Sequence, residues 1–149
     1  MTRRLTFDLH GPAEHRKRAD AHKRTWTRFP GMNDTVAAAQ RNRYGYAHEK
    51  RKITDLVARQ CREVIESTGW VAPLAPVHIR MVWHEPNHRR DWDNVTHAVK
   101  FVLDGMVEAG VIRGDSQRWI PQPVEDVGDV DPDNPGVTVT IETIDEEEQ

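Results

Sequence analysis

Residues 89–117 read RRDWDNVTHAVKFVLDGMVEAGVIRGDSQ. Two carboxylates, Asp91 and Asp93, stand on either side of Trp92 directly after the basic pair Arg89 and Arg90, and a third, Asp115, follows Asp93 by 22 residues. Between them the apolar residues recur at helical spacing. Val95, Ala98, Val99, Val102, Leu103 and Met106 form one stripe, while Asp93, His97, Lys100, Asp104 and Glu108 share the opposite side. This predicts an amphipathic helix over residues 93–109, buried along the first stripe and facing solvent or substrate along the second. Asp93 or Asn94 is suited to cap its start, and Gly110 to end it in a left-handed conformation. Asp115 then falls in the turn Gly114, Asp115, Ser116. To meet Asp91 and Asp93, the chain must double back beside the helix, along a strand beginning near residue 117.

Three hard oxygen donors gathered at one place would make a magnesium site suited to phosphodiester chemistry. On spacing alone, however, D-x-D-N ahead of an apolar helix is more often a cap that sets negative charge at the positive end of the helix dipole. A calcium loop is excluded, because the sixth and twelfth positions, where glycine and glutamate are required, hold Thr96 and Val102.

Taken whole, RRDWDN, the helical LDGMVEAGVI and GDSQ resemble the signature of the RusA-like Holliday junction resolvases of phage or prophage type, over roughly residues 83–120. Members typically read D-x-D-N-x-x-K, then a helix carrying L-D-x-L, then D-D-x-Q. The resemblance implies that Asp91, Asp93 and Asp115 are metal carboxylates for Mg2+, with Mn2+ as the substitute, and that Asn94 supports the turn. Asp104 matches the aspartate of L-D-x-L; eleven residues beyond Asp93, about 16 Å along a helix, it reads as structural. This chain departs from the family pattern twice: His97 occupies the lysine position, and Gly114 replaces the first aspartate of the D-D pair. Lys100 lies one turn beyond His97 on the same face, so its long side chain is preferred over His97 for the cationic role at the phosphate. The implied activity is a Mg-dependent endodeoxyribonuclease of DNA recombination and repair. The implied assembly is a homodimer that sets two active sites on opposite strands of a four-way junction, with Arg89 and Arg90 positioning the DNA backbone and Phe101 contacting the second subunit.

Residues 31–52, GMNDTVAAAQRNRYGYAHEKRK, are loosely similar to a phrase of some phage-borne RusA-like proteins, NxxINAxRxNRYxxAxxKK. Arg41, Arg43 and Lys50 thereby become candidates for phosphate contact, with a solvated basic face as an equal alternative.

A length of 149 residues with 37% hydrophobic content allows one compact domain over residues 1–149. The net charge of −3 conceals segregation: residues 1–60 carry 14 Lys and Arg against 6 Asp and Glu, and residues 61–149 carry 7 against 18. The basic part suits nucleic-acid phosphates. Its segment at about 11–32 mixes Arg16, Lys17, Arg18, Lys23, Arg24 and Arg28 with Trp26 and Phe29, as a backbone-tracking arm would. An ordinary surface loop is the alternative. His10, His15 and His22 lie in or beside it without the spacing of a zinc site. The acidic end, about 145–149, reads as a disordered solubilising tail. Cys61, the single cysteine, falls on an apolar helix stripe and reads as core. With no long apolar run, the expected setting is the bacterial cytoplasm, without disulfide or membrane span.

Strands are expected at residues 4–10, 77–83, 119–124 and 137–144, and helices at 35–44, 47–67 and 93–109; GDVDPDNPG reads as a turn-rich connector. The expected fold is α+β, a small mixed sheet packed by the 47–67 and 93–109 helices. Two other functions stay open: a catalytically silent junction-binding or regulatory module, and a metal-dependent nuclease acting on flaps, RNA or another nucleic-acid structure.

Overall fold

The computed structural model describes residues 2–15, 24–26, 28–31, 40 and 44–144. The elements run β1 (Arg4–Leu9), β2 (Ala13–His15), β3 (Arg24–Trp26), α1 (Gly45–Thr68), β4 (Val77–Glu85), α2 (Trp92–Thr96), α3 (Val99–Ala109), β5 (Glu125–Val130) and β6 (Gly136–Thr143). Four strands form one mixed sheet in the order β1-β6-β4-β5, and β2 and β3 form a separate antiparallel pair. β6 runs antiparallel to both β1 and β4, whereas β5 runs parallel to β4. The architecture is α+β, as expected.

Period-two alternation decides which sheet face is buried. Leu5, Phe7 and Leu9, Val77, Ile79, Met81 and Trp83, and Val137, Val139 and Ile141 all turn inward. Against them lie Ile53, Val57 and Cys61 of α1 and Phe101, Val102 and Met106 of α3, so the helical stripes predicted from spacing are the core stripes. α1 ends at Gly69, whose φ of 70° is left-handed and whose N–H donates to the Ile65 carbonyl. Gly110 closes α3 in the same way, at φ 89°.

Four expectations change. The single helix over 93–109 is divided into α2 and α3 by a turn at His97 and Ala98, although both residues keep right-handed helical dihedrals. The cap position is Asp91, extended at φ −69° and ψ 158° and making no side-chain cap bond, rather than Asp93 or Asn94. No strand forms at 119–124, where Pro121 and Pro123 cannot donate to a ladder; the strand is the next segment, EDVGDV, whose last three residues read as the start of the connector. Its acids pair across the ladder: Glu125 with His78 and Arg80, and Asp129 with His84. Finally, Phe29 is core rather than part of an arm, 1% exposed and edge-on to Trp83 at 6.1 Å. The expected 35–44 helix lies outside the described residues except for 40 and 44, and the 145–149 tail lies wholly outside them.

Candidate active site

Parallel neighbours in a sheet need a crossover, and here the connection from β4 to β5 carries α2, α3 and every carboxylate singled out above. Its first anchor is Glu85. The alternation that buries Trp83 also turns Glu85 inward, where it is 8% exposed. A carboxylate so placed needs a partner. Arg90 supplies one in a two-pronged pair, Nε to Oε1 at 2.6 Å and Nη2 to Oε2 at 3.0 Å. The remaining nitrogen, Nη1, is buried without a hydrogen-bond partner among the described residues. It is packed so close to Gly31 that a Cβ there would stand 2.8 Å from it. The Arg90 guanidinium thus faces Glu85, and the side chain is 14% exposed. Of the basic pair, Arg89 alone is exposed.

Five residues of chain pinned this way deliver Asp91 and Asp93 to the surface. The Asp91 carbonyl accepts the N–H groups of Asn94 at 3.0 Å and Val95 at 3.1 Å, which starts the helical turn. Asp93 Oδ1 accepts the same Asn94 N–H at 3.1 Å. Both carboxylates are exposed.

The third carboxylate does return to the helix. Lys100 Nζ donates to Asp115 Oδ2 at 2.6 Å and to Asp104 Oδ1 at 2.7 Å, holding the two aspartates on either side of one ammonium. The chain reverses after the left-handed Gly110, where the Gly110 and Val111 N–H groups donate to the Met106 carbonyl at 3.1 and 2.9 Å. Beyond Asp115 the Ser116 carbonyl accepts from Trp119 at 3.0 Å and Ile120 at 2.9 Å, and no strand begins near 117. The hydrogen bond from Lys100 holds the Asp115 carboxyl below the ordinary carboxylate range. Asp104 and then Asp115 push Lys100 above its ordinary value. Asp104 is thus part of this cluster and also faces Lys50 at 4.0 Å, which ties that candidate phosphate contact to α3.

Lys100 follows Asp93 by seven residues, about 10 Å of helical rise, so Asp115 meets the helix roughly two turns from the Asp91 and Asp93 end. Among the described residues, no three His, Cys, Asp or Glu side chains stand grouped to hold a metal ion. The donors are carboxylate oxygens on exposed or half-exposed side chains, the ligand type that a hard cation takes, but Asp115 is already held by the Lys100 ammonium. His97 is half-buried and edge-on to Phe101 at 5.7 Å. Phe101, expected at a subunit contact, is only 2% exposed and belongs to this chain's own core. Arg16, Lys17, Arg18, Arg41 and Arg43 lie outside the described residues.

Sequence reasoning missed three groups. Glu85 was legible, as a carboxylate in phase with buried Trp83. Asp126 was not: it accepts the Trp83 indole N–H at 2.8 Å, and burial raises its carboxyl above the ordinary value. The third is the contact of Trp92 with Gly128 of β5, which depends on a strand that was itself unforeseen. On the outer sheet face a polar chain crosses all four strands. It runs from Asp129 to His84 Nδ1 at 2.7 Å, from His84 Nε2 to Thr138 at 2.7 Å, and from the Thr138 hydroxyl to Asp8. Set against known protein families and curated proteins, the chain matches none.

Proposed function

We propose that this protein is a magnesium-dependent endodeoxyribonuclease that cuts four-way DNA junctions as a homodimer. The observation that carries the reading is the return of Asp115 to Lys100 on a crossover that opens with Asp91 and Asp93. It is supported by the resemblance of residues 83–120 to the RusA-like resolvases.

On this reading Asp91 and Asp93 would hold Mg2+ or Mn2+, joined by Asp115 once it exchanges Lys100 for the metal; the ion would supply a hard Lewis acid for phosphate oxygen and a more acidic water. The chain's own residues do the rest. Lys100, on an exposed side chain, offsets negative charge developing on the scissile phosphate, and His97 stands one turn behind it. Arg89 steers the DNA backbone. The Glu85 and Arg90 pair fixes the direction in which Asp91 and Asp93 leave β4, so Arg90 acts by positioning.

The ion pair between Asp115 and Lys100 favours a second reading, a junction-binding module without cleavage, because a carboxylate engaged by lysine does not need a metal. A labelled four-way junction incubated with and without magnesium separates the two. Cleavage is expected only with the metal, and Asp91→Asn, Asp93→Asn and Asp115→Asn each abolish it while leaving junction binding intact or stronger. Wild-type protein that binds the junction and never cuts it establishes the second reading.

A further inference from the structure

Among the tryptophans whose side chains are described, Trp70 and Trp83 are buried at 9% and 1% exposure and Trp119 is half-buried, but Trp92 is 53% exposed. Trp70 and Trp83 also spend their N–H groups inside the fold, on the Val111 carbonyl and on Asp126. Trp92 occupies the first position of α2, between the two carboxylates. The Cη2 and Cζ2 atoms of its six-membered ring lie against Gly128 of β5, where a Cβ would stand 3.2 Å from both. Gly128 is the only residue of β5 without a side chain, so the indole is braced on strand backbone while much of it remains open to solvent.

We propose that Trp92, backed by Gly128, is a stacking platform for an unpaired nucleobase at the branch point; this rests on the branched-DNA reading above. Three considerations favour that occupant. An indole held against a strand has little rotamer freedom to lose on binding, and Trp gives a large contact at low entropic cost. Asp91 and Asp93 flank it, so a bare phosphate is repelled there, whereas an uncharged π face is not. Exposed Arg89, three residues before Trp92, offers a cation for the backbone of the strand that carries the stacked base. Bases within a duplex are already stacked on both faces, so the platform discriminates in favour of DNA that can release a base. It is a specificity determinant separate from the cleavage groups.

The test uses the full chain without magnesium, so that binding is read independently of cutting. The probes are a four-way junction carrying 5-iodouracil at the branch point and a duplex of the same sequence. Trp92→Leu is expected to weaken junction binding at least about tenfold, the order expected from losing one base-aromatic stack, and to leave duplex binding unchanged. Trp92→Phe retains most of the affinity. Gly128→Val, which displaces the ring without altering it, behaves like Trp92→Leu, and irradiation of the wild type attaches the iodouracil to Trp92. Wild-type junction affinity in Trp92→Leu, or attachment mapped elsewhere, overturns the platform. Trp92 is on the surface, so that variant decides the matter even if Gly128→Val folds poorly. Magnesium-dependent cleavage in the wild type judges the nuclease reading separately. Cutting that is indifferent to Trp92 removes the platform alone; branch-point capture by Trp92 without cutting supports the platform and removes the nuclease.

Discussion

Breaking the ion pair at the root of the crossover should cost more stability than any single change at the exposed carboxylates. The side chains of Glu85 and Arg90 are 10% and 14% exposed, so Arg90→Ala leaves a carboxylate in a site that water scarcely reaches. Removing one partner of a buried pair costs about 3–5 kcal/mol, and the residual exposure places this case near the lower end, about 3 kcal/mol. For a chain of 149 residues that corresponds to a midpoint lowered by roughly 6–12 °C. Glu85→Leu with Arg90→Met replaces both charges by apolar groups and should recover more than half of the loss, because no unpaired charge remains. Arg90→Lys, which keeps charge but not the fork, falls between. Urea unfolding followed by circular dichroism gives the free energies, and junction titration over a salt series shows whether Arg90 contributes a phosphate contact. An Arg90→Ala protein within about 1 kcal/mol of wild type, or one whose salt slope drops by a full phosphate contact, roughly 0.9, refutes the structural assignment and returns Arg90 to the DNA.

Lys100→Ala should slow cleavage at least about tenfold, or about 1.4 kcal/mol of transition-state stabilisation, and more than His97→Ala does; single-turnover kinetics with the reverse ranking assign the role to the histidine. The same change should alter stability by less than about 1 kcal/mol, since the Lys100 side chain is 60% exposed and solvent screens the pair. Asp115 is held below its ordinary 3.8 by Lys100, so the pair's contribution is present above that pH and fades as acid carries the protein through the lower folded value. Acid titration of stability should accordingly be shallower in Asp115→Asn. Gly105→Ala places a Cβ 2.4 Å from Val57 Cγ1 and 2.6 Å from Val57 Cβ, which no rotamer relieves. Overpacking of about 1–3 kcal/mol should exceed a helix-propensity gain of about 1 kcal/mol, and thermal denaturation should show a net loss. Burial pushes the Cys61 thiol up to about 12, so a disulfide reagent at pH 8 should leave it unmodified until denaturant opens the core.

The parts of the fold legible in the sequence are those governed by periodicity. Alternation in β1, β4 and β6 and the stripes of α1 and α3 identified the core faces, because burial of one face is a local pattern repeated along a single element. β5 escaped because its stability comes from partners across the ladder, with Glu125 pairing 47 residues away from His78. The two prolines before it meanwhile imitated alternation without offering the N–H groups. At the site, the shared face of Lys100 and Asp104 followed from helical spacing. The arrival of Asp115 beside Lys100 depends on the path of the chain after Gly110, and the setting of Trp92 depends on a glycine 36 residues later, so neither could be read locally. Arg90 misled for a different reason: a basic residue next to aspartates suggests phosphate binding, but the buried Glu85 one strand-end earlier takes precedence energetically.

Among the described residues β1 has only β6 as a neighbour in its sheet, with Leu5 opposite Ile141, so the two are 136 positions apart. At about 5–20 residues per second of ribosomal synthesis, β1 emerges roughly 7–27 s before the segment it must join. During that interval Leu5, Phe7 and Leu9 form an apolar strand with no sheet to enter, the kind of nascent segment that chaperones hold and that otherwise associates with its copies. A ribosome stalled before residue 136 would leave β6 unmade and β1 unclaimed. Yield in a heterologous host should therefore respond more to the speed of translation and the supply of holdases than to substitutions in the crossover.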